Sequence, residues 1–138
     1  MISMKSVAKL LIKNGNEFLM MYRSDHPTFG IDPDLPGGTV EGSETVLQTM
    51  LREVYEEIGV VVESSKASEI FSGNDYSAHG TYYSLFITEV EDKPEIRMSW
   101  EHSSYEWLKE SEFIEKAASA KDTYMHMVSE VLASYSMS

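Results

Sequence analysis

A chain of 138 residues, 42% hydrophobic and 25% charged, has the composition of one folded domain and is too short for a tandem array. With 11 basic against 23 acidic side chains its formal charge is −12, which disfavours nucleic-acid strands and anionic membranes as partners; a phosphorylated small molecule fits only with a divalent cation between carboxylate and phosphate. The absence of cysteine excludes disulfides, thiolate metal sites and thiol nucleophiles, and without an apolar run of roughly 20 residues or a leader-like start the expectation is a cytoplasmic protein forming one domain over 1–138.

From Lys5 to Ile12 the residues are mostly apolar and β-compatible, Asn14-Gly15 is a type I′ turn signal, and Glu17 to Tyr22 resumes an apolar run. Together these predict a β-hairpin. The stretch RSDHPTFGIDPDLPGG, from Arg23 to Gly38, is dense in Pro, Gly and Asp and reads as one long loop of the functional kind. Ser43 is expected to cap a helix whose Leu47, Met50, Leu51, Val54 and Ile58 follow the spacing of one buried face, with Gly59 as its stop. Residues 60–62, 67–71 and 81–90 read as strands and 105–108 as a short one; helical patterns over about 110–119 and 123–134 close the chain. The order ββ, α, several β, then α predicts an α/β fold with a mixed β-sheet covered by helices.

On the first helix, Glu53, Glu56 and Glu57 break the usual rules. At about 100° per residue they fall within one arc of about 100° on the side away from the apolar face. Like charges at these spacings cost about 0.2–0.5 kcal/mol per pair, and anions in the last turn oppose the helix dipole by roughly 0.3–1 kcal/mol each. A divalent cation removes the penalty, because carboxylate oxygens are the ligands Mg²⁺ prefers and water and phosphate can complete its shell. A merely solvated acidic face is the competing explanation.

Starting at Gly38, the text GTVEGSETVLQTMLREVYEEIGV places Gly38, Glu44, Arg52, Glu53, Glu56, Glu57 and Gly59 at fixed spacings, with Val54 and Val60 as aliphatics. It resembles the Nudix box, G-x5-E-x7-R-E-U-x-E-E-x-G-U with U aliphatic, without a mismatch, a coincidence expected on the order of once in a billion starts. Pro36-Gly37-Gly38 and Glu41 extend the resemblance, which covers roughly residues 5–113. Pro33 and Ser43 depart from it, standing where relatives often carry an aromatic residue and a glycine.

The resemblance implies a Nudix-type α/β/α sandwich. It also implies a pyrophosphohydrolase that cleaves a nucleoside-diphosphate-linked substrate (a nucleoside triphosphate, nucleotide sugar or dinucleotide) by water attack at phosphorus, with Mg²⁺ or Mn²⁺ as cofactor. Gly38, Glu53, Glu56 and Glu57 are the implied metal ligands, joined by Glu101 from its six-residue spacing to Trp107. Glu53 or Glu56 is the implied general base, Glu101 a further acid, and Arg52 orients the carboxylates with Glu44 as its partner. Arg23, Gly37, Gly38 and His102 are expected at the substrate. The Pro that ADP-ribose-cleaving relatives often carry about fifteen residues after the box is absent, and Tyr76 lies near where dinucleoside-polyphosphate-cleaving relatives carry a Tyr. The competing function is a nucleotide sensor that binds without cleaving; such proteins typically lose box acids, and none is lost here. The expected partner is a small nucleotide-like diphosphate, bound by a monomer or homodimer.

Overall fold

The computed structural model describes residues 5–77 and 79–136. Strands β1 (Ser6–Asn14) and β2 (Glu17–Arg23) form the hairpin, turning at Gly15 with φ 61°. The predicted long loop is pinned at its far end, because β3 (Pro33–Asp34) pairs with β2 and β4 (Gly37–Thr39) pairs with β1. Helix α1 (Val46–Ile58) is capped by Thr45 rather than Ser43. The Gln48 amide donates to Thr45 Oγ1 at 3.1 Å and the Thr45 amide to Gln48 Oε1 at 2.9 Å, a reciprocal capping box. Gly59 closes the helix in the left-handed conformation at φ 71°.

Residues 60–62 form no strand: Val60 is buried, but Val61 is 78% exposed and the segment has no strand partner among the described residues. Three further strands follow, β5 (Ala67–Gly73), β6 (Tyr82–Glu89) and β7 (His102–Lys109), then helices α2 (Glu110–Ala118) and α3 (Thr123–Ser136). Strand β7 is longer than its apolar text suggests because it pairs along β2 from Glu17 to Arg23, and backbone bonding extends it to His102. The mixed sheet runs β3-β2-β1-β6-β5, with β4 beside β1 and β7 beside β2; β1 and β6 are parallel and the other pairs antiparallel.

Strand alternation divides the core into two layers. Ala8, Leu10 and Ile12 of β1, Leu19 and Met21 of β2 and Phe86 of β6 pack with Met50, Val54 and Ile58 of α1. Leu11, Phe18, Met20, Leu85 and Ile87 face the other way, against Phe113 and Ala117 of α2 and Tyr124, Val128 and Leu132 of α3. The result is a helix–sheet–helix sandwich. Burying each large side chain contributes roughly 1.5–3 kcal/mol, which makes Lys9, buried at 8% exposure in the midst of β1, an exception that needs a reason. Among the described residues no helix is long and apolar enough to cross a membrane.

Candidate active site

Arg52, near the middle of α1, gathers the acids around it. Its Nε and Nη2 hold both oxygens of Glu44 at 2.7 and 2.9 Å, while Nη1 reaches Glu53 Oε1 at 2.8 Å and both Glu56 oxygens at 3.2 Å. The Arg52 hydrogen bonds draw the Glu44 carboxyl down to about 2, and those to Glu44 above all raise the guanidinium's own value. Burial pushes Glu53 up, with Arg52 opposing and Glu56 and Glu101 adding to the rise. Glu53 Oε2, which Arg52 leaves free, lies against Gly38: a Cβ at position 38 would stand 2.6 Å from it and 2.4 Å from Cδ. Gly38 is therefore the seat of the Glu53 carboxylate.

Glu57, one helical turn beyond Glu53, is 4% exposed. Its Oε1 accepts from the Gly37 amide at 2.9 Å and its Oε2 lies 3.9 Å from His102 Nδ1. Burial pushes its carboxyl up to about 8; Lys9 and the Gly37 amide pull the other way, and Asp34 and Glu101 add to the rise. Glu101 lines the same cleft as Glu57 and adds to the rise of both Glu53 and Glu57. Gly37 must be glycine for the sheet's sake, since at φ 142° its Cβ would lie 2.0 Å from the Ala8 carbonyl oxygen.

A cleft of about 620 Å³ opens beside these groups, lined by Gly37, Gly38, Glu57 and Glu101 together with Lys9, Arg23 and Asp34. Asp34 is buried in its wall. It accepts from Lys9 Nζ at 3.1 Å, His102 Nε2 at 2.9 Å and the Tyr124 hydroxyl, with Arg23 Nη2 at 3.5 Å. Burial alone would raise Asp34, but Lys9, His102, Arg23 and Tyr124 outweigh it and hold the carboxyl well below the usual range. Arg23 also binds Asp122 at 3.1 Å and lies over the Phe29 ring at 5.1 Å.

The donor set suits a hard divalent cation, because it is all oxygen and includes a buried carboxylate with a single hydrogen-bond donor and acidic neighbours. Among the described residues no three carboxylate or imidazole groups already stand together as a formed cluster. Arg52 holds Glu53 and Glu56, whereas the Gly37 amide holds Glu57.

Glu57, Glu101, Gly38 and Arg23 thus line one cleft, with Glu53 seated against Gly38 and Glu56 more open at 52% exposure. One expectation is corrected. His102 is not at the cleft surface: as the first residue of β7, paired with Arg23, it has a side chain only 2% exposed and bonded to Asp34. Gly37 lines the cleft, with its amide donating to Glu57. Lys9, Asp34 and Tyr124 belong to the site yet stood outside the expected set; the available signal was a lysine within the apolar text VAKLLI.

The NUDIX domain model matches residues 3–128. An ADP-ribose pyrophosphatase of Methanocaldococcus jannaschii is 33% identical over 81 residues, 58% of this chain and 47% of that protein, so the chain spans about half the length of this relative. The solved NUDIX domain of Shewanella oneidensis NrtR, complexed with ADP ribose, has a TM-score of 0.74 at 17% identity, covering 100% of this chain and 91% of that one. A Caenorhabditis elegans Ap4A hydrolase binary complex has a TM-score of 0.71 at 20% identity, covering 95% and 96%. At these identities the structural likeness establishes the fold.

Proposed function

The chain belongs to the NUDIX domain family, and on that premise we propose that it hydrolyses a phosphoric anhydride bond in a small nucleotide-like diphosphate. The observation that carries this is that Glu57 of the box, Gly38 and Glu101 line one cleft together with two cations, Lys9 and Arg23, with Glu53 seated against Gly38. Acids able to take a divalent cation and side-chain cations around the same cleft suit a metal-bridged diphosphate, whereas either alone would repel or merely hold it.

In this reading Glu57, Glu101 and the Gly38 carbonyl would hold Mg²⁺ or Mn²⁺, with Glu56 at the open side and Glu53 left as base. The bound cation supplies charge neutralisation on phosphate oxygens and lowers the pKa of coordinated water. The chain's own residues do the positioning. Arg52 fixes Glu53 and Glu56 relative to Glu44, the Gly37 amide fixes Glu57, and Arg23 binds the substrate's phosphate oxygens. Glu53, whose proton affinity is raised by burial and whose Oε2 is free of Arg52, takes the proton from the attacking water.

A release assay over nucleoside triphosphates, nucleotide sugars, ADP-ribose and dinucleoside polyphosphates, with Mg²⁺ and with chelator, tests the reaction, and ¹⁸O-labelled water identifies the phosphorus attacked. Glu53→Gln keeps volume and helix propensity, so its melting temperature should match wild type while turnover falls about 10²-fold or more. Full activity in the variant would reject Glu53 as base. Tight nucleotide binding by wild type with no cleavage of any of these compounds would favour a sensor.

A further inference from the structure

We infer that His102 is a positioning residue for Glu57: its buried imidazole, anchored on Asp34, holds the Glu57 carboxylate in the orientation that receives the divalent cation. This rests on the reading of Glu57 as a metal ligand. The His102 Nε2 lies 2.9 Å from Asp34 Oδ2, and because Asp34 is charged, Nε2 carries the hydrogen of that bond. The other ring nitrogen, Nδ1, is buried and has no hydrogen-bond partner among the described residues. Glu57 Oε2 stands 3.9 Å from it, about 1 Å beyond hydrogen-bond length. A buried polar atom left unbonded is costly and rare, so this one calls for a reason beyond the fold.

Glu57 shows the matching lack. Its Oε1 accepts from the Gly37 amide, while Oε2 has no hydrogen bond among the described residues. The imidazole is fixed where that oxygen is not. The His102 amide donates to the Ser99 carbonyl at 3.3 Å, the Ser99 amide to the Glu57 carbonyl at 2.9 Å, and the Ser24 amide to the Glu101 carbonyl at 2.9 Å. The turn that brings Glu101 to the cleft is thus strapped to the same residue whose carboxyl faces Nδ1. An imidazole nitrogen presents either a lone pair or an N–H, so it complements a carboxyl in either charge state. Ligating carboxylates are oriented by such outer hydrogen bonds. Were His102 present only for Asp34, one nitrogen would suffice, and a glutamine would serve.

The test uses side chains that keep one nitrogen at a time, since glutamine carries a polar atom to the place of Nε2 and asparagine to that of Nδ1. Mn²⁺ affinity is measured by calorimetry in wild type, His102→Gln and His102→Asn, with melting temperatures in chelator alongside. His102→Gln keeps the Asp34 contact, so it should melt close to wild type yet bind Mn²⁺ about ten- to a hundredfold more weakly. His102→Asn gives up Asp34 and should melt lower, but it should bind Mn²⁺ within a few fold of wild type. Unchanged affinity in His102→Gln, or an equal loss in both variants, overturns the assignment and leaves the metal site standing. In wild type the ¹⁵N resonance of His102 Nδ1 should move as Mg²⁺ saturates the protein; a resonance that stays in place overturns the assignment even where neither variant folds. Wild type that binds no Mn²⁺ overturns the metal reading as well.

Discussion

Asp34 lies at 3% exposure with four donors around two oxygens, supplied by β1, β2, β7 and α3. Such a carboxylate is bound to its charged form, so Asp34→Asn at pH 7 should cost about 3–5 kcal/mol, most of it from leaving Lys9 without its counter-ion and Arg23 with Asp122 alone. The sign with pH follows from linkage. The unfolded carboxyl titrates near its ordinary value of 3.8 and the native one well below it. The stabilisation is therefore complete above the ordinary value and is lost as pH falls through it toward the native value. The gap in melting temperature between wild type and Asp34→Asn should shrink steadily from pH 5 to pH 2.5; a constant gap would show that the native group is uncharged. This node was not legible beforehand because Lys9, His102 and Tyr124 lie 25, 68 and 90 residues from Asp34 in sequence, and no local period joins them. The box acids were legible because one helix carries three of them.

Helix α1 separates stability from chemistry by its two faces. Met50, Val54 and Ile58 are fully buried against β1, β2 and β6, while Glu53 and Glu56 turn toward Arg52. Met50→Ala should cost about 2–5 kcal/mol yet leave per-molecule activity of the folded fraction largely intact, the reverse of Glu53→Gln. Denaturant melts beside specific activity would check it, and a loss of activity in proportion to stability for both variants would deny the division. The apolar spacing that defines this helix was readable, as were Gly59 and the partnership of Arg52 with Glu44. Its start was misplaced by two residues because Ser43 and Thr45 are both good caps, and only the Gln48 side chain three positions beyond Thr45 decides between them. Strands β3 and β4 were hidden for a different reason. Two- and three-residue strands made of Pro, Asp and Gly owe nothing to β-propensity; they exist because β2 and β1 offer them backbone partners.

Across the whole molecule, a chain of charge −12 concentrates acids beside one cleft and leaves Glu57 buried with a single backbone donor. A cation that binds only the native state stabilises it by RT ln(1 + [L]/Kd), about 2.7 kcal/mol at a hundredfold excess over Kd. Mg²⁺ should therefore raise the melting temperature by on the order of 10 °C for a domain of this size. Glu57→Gln separates this from general screening of charge. With its carboxyl pushed up to about 8, Glu57 is largely protonated at pH 7 without metal; glutamine matches that neutral form and retains an oxygen to accept the Gly37 amide, so the variant without Mg²⁺ should melt at or above wild type. With Mg²⁺ its gain should be much the smaller of the two, whereas Na⁺ at equal ionic strength should shift both alike. Equal Mg²⁺ shifts in wild type and variant would remove Glu57 from the proposed ligands and leave its burial to be explained by the Gly37 contact alone.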